Sequence, residues 1–293
     1  MKKTLFILGG NMKRSKFFKA LINSMLVSTI AAGSAYAANC TASITAPCTI
    51  AAPGVYKLTS NITVNTTNPS AVIVVNASNV VVDLAGFEIK NTKTGYGDGI
   101  AYNGTKGILD DITVKNGRIV GFNSGVIFHN NAASGDNIVT NALVEGITVL
   151  HSAGGFGITN DGDTGINLDG RNITIRNCIV DSNNSGETAS IKTLGSNIHI
   201  VNNDIFNPGN RSGILYYGDN GTIIENNRLS TIKIGVGTGM SVGIENAIVS
   251  NNRFVNFSTG IEFGGAGIYR DNIFIGVANP VSGGFDAGNN KSF

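Results

Sequence analysis

One arrangement of apolar and polar positions recurs along the chain: apolar, any, Asn, Asn-like, any, apolar, then a turn and a Gly-apolar pair. It reads Val114-Lys115-Asn116-Gly117-Arg118-Ile119 and again Ile175-Arg176-Asn177-Cys178-Ile179-Val180. Further copies start at Ile200, Ile224 and Val249, and a weaker one spans Tyr269 to Phe274. From Asn177 the marker Asn or Asp recurs after 25, 24, 25 and 20 residues, at 202, 226, 251 and 271. Upstream, Val82 to Ile89 and Val144 to Val149 fit with steps near 30, which implies longer loops there.

Within each copy apolar residues alternate with polar ones on either side of the Asn. This is the signature of two half-buried strands joined by a tight bend. Asn suits the bend because it tolerates the left-handed backbone that most residues resist. Stacked Asn amides can also hydrogen-bond from coil to coil, although the pattern does not say which Asn of a pair is left-handed. Gly99-Ile100, Gly125-Val126, Gly157-Ile158, Gly213-Ile214, Gly235-Val236 and Gly260-Ile261 predict a third strand per coil.

One such coil cannot bury its own inner face, but stacked neighbours bury it for each other. The expected fold is an all-β, single-domain, right-handed parallel β-helix of roughly 8–10 coils, with three strands per coil and capped ends. At a strand spacing of about 4.8 Å the rod would be on the order of 45 Å long. Outward positions beside the Asn read Lys115, Glu145, Arg176, Val201, Glu225, Ser250 and Arg270. Alternating charge there is favourable between stacked neighbours and marks a solvated face.

Composition divides the chain further. Met1 to Lys19 carries six Lys or Arg, Ala20 to Ala35 is largely apolar, and Ala35-Tyr36-Ala37 has the small-x-small form of a secretory cleavage site. Residues 1–37 are therefore expected to be a signal peptide, whether translation starts at Met1 or Met12, and the protein to be secreted, extracellular or periplasmic. Without the six leader cations, 15 basic residues stand against 19 acidic ones, a balance that gives nucleic-acid binding no support. The expected organisation continues with an N-terminal cap at 38–54, the β-helix at 55–278 and a C-terminal cap at 279–293. Cys40 and Cys48 are expected to close a short disulfide loop in an oxidising compartment, and Cys178 to be a packed free thiol. No membrane span is expected after the leader, and the expected state is a monomer.

The segments Asn79-Val80-Val81-Val82-Asp83-Leu84-Ala85-Gly86-Phe87-Glu88-Ile89 and Ile112-Thr113-Val114-Lys115-Asn116-Gly117-Arg118-Ile119-Val120-Gly121-Phe122 carry a resemblance. They resemble the opening coils of bacterial right-handed parallel β-helix repeat proteins of the pectin-lyase-like superfamily. The likeness covers roughly residues 55–278 and implies the right-handed coil. Its members include pectate lyases, polygalacturonases and non-enzymes, so it implies a fold and leaves the activity open.

The chemistry is sparser. Asp110-Asp111 is the single Asp pair, and no histidine in a matching motif and no Arg-x-Lys sequence follows it as an inverting polygalacturonase would require. A turn role suits the pair better. Asn160 to Asp169 places Asp161, Asp163 and Asp169 in a Gly-rich stretch where oxygen ligands could hold Ca²⁺, although the full calcium-loop pattern is absent. If the Gly-apolar pairs align, the second and fourth residues after each Gly point outward. His129, Asp161 and Lys192 would then lie on one face with Tyr217, and Glu262 would follow further along it. His129, Asp161 and Lys192 are the candidate catalytic residues, with Lys192 as base or carboxylate partner, and Tyr217 and Glu262 are the candidate ligand contacts. Two functions remain: binding or lyase-like action on an extracellular polysaccharide such as a uronate glycan, and a non-catalytic surface or adhesion role.

Overall fold

The computed structural model describes residues 38–293 except 68–69, 94, 103–106, 129–138, 151–163, 182–188, 207–209, 219–220 and 244. The described residues form strands and turns, with every strand pairing parallel in one continuous sheet. The chain is a right-handed parallel β-helix. Its coils present three faces, and each residue of a coil pairs with the equivalent residue of the next.

Face one carries the strand before the marker Asn, as in Val80–Asp83, Ile223–Glu225 and Ala266–Arg270. Face two carries the strand after it, as in Ile179–Asp181, Arg228–Ser230 and Ile273–Ile275. Face three carries the Gly-apolar strand, as in Asp98–Ala101, Ser124–Phe128, Ser212–Tyr217 and Phe257–Phe263. Four long strands, Leu109–Val120, Val139–Leu150, Thr164–Arg176 and Ala189–Val201, run through a corner from one face to the next. Inward positions form unbroken apolar columns. On face three the column is Ile100, Val126, Ile166, Ile191, Ile214, Met240 and Ile261, each fully buried.

The corner between faces one and two answers which Asn is left-handed. Asn116, Asn177, Asn202, Asn226, Asn251 and Asp271 all have φ between 55° and 60°. The residue after each of the last four turns inside and stacks. Asn203 Nδ2 donates to Asn227 Oδ1 at 3.0 Å, Asn227 Nδ2 to Asn252 Oδ1 at 3.1 Å, and Asn252 Nδ2 to Asn272 Oδ1 at 3.2 Å. The same oxygens accept backbone N–H groups, as from Asn203 N to Asn227 Oδ1 at 3.0 Å. Each amide thereby replaces a backbone partner that the bend takes away. Cys178 heads this column: its N–H donates to Asn203 Oδ1 at 2.9 Å and its thiol to Arg176 O at 3.3 Å. It is free and buried, and burial pushes the thiol up to about 11, so it packs as a small apolar group with one weak donor.

The corner between faces three and one has its own left-handed column: Asn79, Asp111, Asn141, Asn172 and Asn197. Asn197 Nδ2 donates to Asn172 Oδ1 at 2.7 Å, Asn172 Nδ2 to Asn141 Oδ1 at 2.9 Å, and Asn141 Nδ2 to Asp110 Oδ1 at 2.7 Å. Gly170, Gly195 and Gly218 stack beside it. A Cβ on Gly195 would overlap the Gly170 carbonyl, so only glycine lets the coils approach here.

The disulfide between Cys40 and Cys48 is present in the first coil. At the other end, residues 279–293 add one more coil: Asn279–Ser282 pairs with Phe257–Phe263, Phe285–Asp286 with Ala266–Arg270, and Lys291–Ser292 with Ile273–Ile275. Val281 still continues the face-three column, but the inward positions on the other two faces turn polar. Asp286 follows Tyr269, and Ser292 follows Phe274 in the columns. Asp286 Oδ1 accepts Gly288 N at 2.8 Å and Asn290 Nδ2 at 2.7 Å. The last coil therefore ends the core with groups that prefer water to another apolar layer.

The observed register moves two rungs of face three. Gly239-Met240 occupies the rung expected for Gly235-Val236, since Met240 pairs with Ile214 and Ile261. Gly235 instead turns a corner with φ 73°. Gly157-Ile158 lies outside the described residues, and its rung is filled by Gly165-Ile166, with Ile166 paired to Val126 and Ile191. Coil length varies at the loops, and Gly-apolar pairs also occur at corners, so the dipeptide alone does not define the rung.

Candidate functional site

Face three assembles the described candidates. Its outward column runs Ala101, Ile127, Asn167, Lys192, Leu215, Ser241, Glu262 and Ser282. Two residues further along each strand, Asp169 pairs with Leu194 and Leu194 with Tyr217. Lys192 and Glu262 thus share the column expected from the sequence. Asp169 stands four residues after Gly165, the position expected for Asp161. His129, Asp161 and Asp163 lie outside the described residues.

The column has two parts of different character. In the first, residues that point away from the core are nonetheless buried: Asn167 is 0 % exposed, Lys192 7 %, Asp169 8 % and Leu215 8 %. Neither Oδ1 nor Nδ2 of Asn167 has a hydrogen-bond partner. Lys192 joins none of the ion pairs formed among the described residues. Those pairs belong to the surface, as with Arg176 to Glu145 at 3.0 Å and Arg228 to Asp204 at 2.7 Å. No group of three or more His, Cys, Asp or Glu able to hold a metal occurs among the described residues.

The second part is open. Tyr217 is 45 % exposed, and Glu262 and Ser282 are exposed. Beyond Tyr217 the outward column continues as glycine: Gly243 N donates to Tyr216 O at 2.7 Å, and Gly264 N to Val242 O at 2.8 Å. A Cβ on Gly243 would meet Tyr217 Cδ1 at 2.8 Å. The phenol ring therefore rests beside a floor of bare backbone, with Ser241 and Glu262 along its edge. At about 4.8 Å per rung, Tyr217 and Glu262 are two rungs or about 10 Å apart along the rod.

Neither a family model, nor a curated protein, nor a solved structure matches this chain. The fold stands on its own geometry.

The remaining acids have structural settings. Asp111 is a left-handed corner residue, and Asp110 accepts Thr140 Oγ1 at 2.6 Å and Asn141 Nδ2 at 2.7 Å. Those two donors hold the Asp110 carboxyl below its usual range. Partly buried Asp98, at the start of a face-three strand, is pushed up to about 6 by desolvation, against the opposing hydrogen bonds from Ser124. No described helix is long and apolar enough to cross a membrane. Sequence reasoning missed Asn167 and the Gly243–Gly264 floor. The floor carries a signal, glycine at the same offset in successive coils; a buried Asn among many surface Asn carries none.

Proposed function

We propose that this is a secreted β-helix that binds an extracellular polysaccharide along face three, with the Tyr217–Gly243–Gly264 floor as its contact surface. The exposed Tyr217 ring beside bare backbone supports this reading above all. An aromatic face offers apolar area and a negative quadrupole to the C–H face of a sugar, while the phenol keeps a polar tip. Glu262 and Ser241 supply hydroxyl partners at the edge. The stacked rungs repeat along the rod, which suits an extended chain better than a compact ligand. Glu262 repels anions, so a neutral glycan segment fits this end of the face. The resemblance of Asn79–Ile89 and Ile112–Phe122 to pectin-lyase-like coils supports the same ligand class and a place in that superfamily.

The test is affinity electrophoresis and calorimetry of the purified chain against neutral and uronate polymers. Tyr217→Ala and Gly243→Leu are expected to weaken binding tenfold or more with the β-sheet circular dichroism unchanged. Equal binding by both variants, or no polymer bound at all, overturns the proposal. Following unsaturated-product absorbance on uronate polymers, with and without Ca²⁺, tests lyase action in the same samples.

A further inference from the structure

Lys192 and Asn167 pose a problem that glycan binding leaves untouched. They are paired residues on adjacent rungs, Lys192 on Ala189–Val201 and Asn167 on Thr164–Arg176, and both point to the same side. Their neighbours in the column, Ile127 and Leu215, are apolar, as is Leu194 beside Lys192 on its own strand. A buried amide with neither end bonded and a buried cation with no ion pair among the described residues are both costly in such surroundings. Asp169 lies two residues from Asn167 on the same side and is also buried. It is diagonal to Lys192, a separation of about 7–8 Å between backbones that a long side chain spans.

We propose that Lys192 and Asn167 join in an intramolecular isopeptide bond, with Asp169 as the proton carrier. The lysine ammonium gives a proton to the Asp169 carboxylate, and the freed Nζ lone pair attacks Cγ of Asn167. The proton then passes from Asp169 to the departing Nδ2 as the Cγ–Nδ2 bond breaks, and the surplus proton of Nζ leaves with it. A lysine ammonium and a carboxamide become one secondary amide, and one ammonium ion is released. No oxidant, metal or cofactor enters. The product replaces a buried charge and an orphan amide by a single neutral amide, which supplies the driving force. It also cross-links two successive coils directly, rung to rung, where otherwise hydrogen bonds and packing hold the paired strands together.

Intact-mass measurement and peptide mapping of the purified, folded chain decide the matter. The peptides holding Lys192 and Asn167 are expected to elute as one linked species, lighter than their sum by one ammonia. Lys192→Arg and Asp169→Asn are expected to give separate peptides of full mass, whereas Asn167→Asp links with loss of one water. Recovery of both wild-type peptides unlinked and at full mass from folded protein overturns the proposal. That readout needs no variant to fold and is independent of whether any glycan binds.

Discussion

Replacing Asn227 by alanine removes the middle of the buried amide column. Its Oδ1 accepts both Asn203 N and Asn203 Nδ2 at 3.0 Å, and its Nδ2 donates to Ile200 O at 2.8 Å and Asn252 Oδ1 at 3.1 Å. Some groups keep a partner: Asn203 Nδ2 still reaches Ile175 O, and Asn252 Oδ1 still accepts Asn227 N. The Asn203 N–H and the Ile200 carbonyl each lose a buried partner. At about 1–3 kcal/mol per stranded group, the expected loss is about 2–5 kcal/mol. For a chain of this size that lowers Tm by about 5–15 °C. The comparison is the preceding residue. Asn226 has φ 56°, so Asn226→Ala meets only the left-handed penalty of about 1–2 kcal/mol, and Asn226→Gly is close to neutral. Urea denaturation gives the ranking, and hydrogen exchange at the Asn203 amide gives the local effect, which matters because a solenoid can open by parts. If Asn227→Ala costs less than Asn226→Ala, or the Asn203 amide keeps its protection, the column is decoration rather than support.

Two further outcomes follow from charges at the rim of the core. Asp98 titrates near 6 in the fold against 3.8 when exposed, so the folded state prefers the protonated acid, and stability falls as pH rises from about 4 to 6. Asp98→Asn removes this loss, up to about 3 kcal/mol for a shift of about two pH units, so it should raise Tm at pH 8 and change it little at pH 4; a pH-independent effect would refute the assignment. Asp286→Val with Ser292→Ile turns the last coil into an apolar, open-edged surface, and light scattering should then show concentration-dependent association absent from the wild type. Monomeric behaviour of the double variant at all concentrations would count against the end-cap argument.

How far the sequence reaches depends on what each residue is asked to reveal. The coil period was visible because Asn and Gly have backbone reasons to recur, and the Glu145–Arg176 contact followed from alternating charge on one column. The register of face three was visible only where no loop intervened. Gly157-Ile158 and Gly165-Ile166 are both acceptable by pattern, and only strand pairing separates them. Lys192 was placed in the right column, but its burial was not legible. A lysine at an outward position reads as solvated, and nothing local tells the reader that Asn167 beside it is also shielded. Tyr217 reads as an aromatic in either setting; the backbone floor next to it depends on glycines one and two coils away.

Cys178 at the head of the amide column marks a change of rule along the rod. Downstream of it, every coil must return an Asn to the same internal point, so a loop can lengthen only if it leaves that point fixed. The column acts as a gauge for the coils it threads. A duplicated coil placed between Asn227 and Asn252 would meet amide partners above and below, and would lengthen the rod by about 4.8 Å without altering its cross-section. Upstream of Cys178 this internal column is absent and the coils are tied by the exposed ladder of the other corner, Asn172 to Asn141 to Asp110, and there the steps stretch to near 30 residues. Length in this molecule is adjustable by whole coils in one half and by loops in the other.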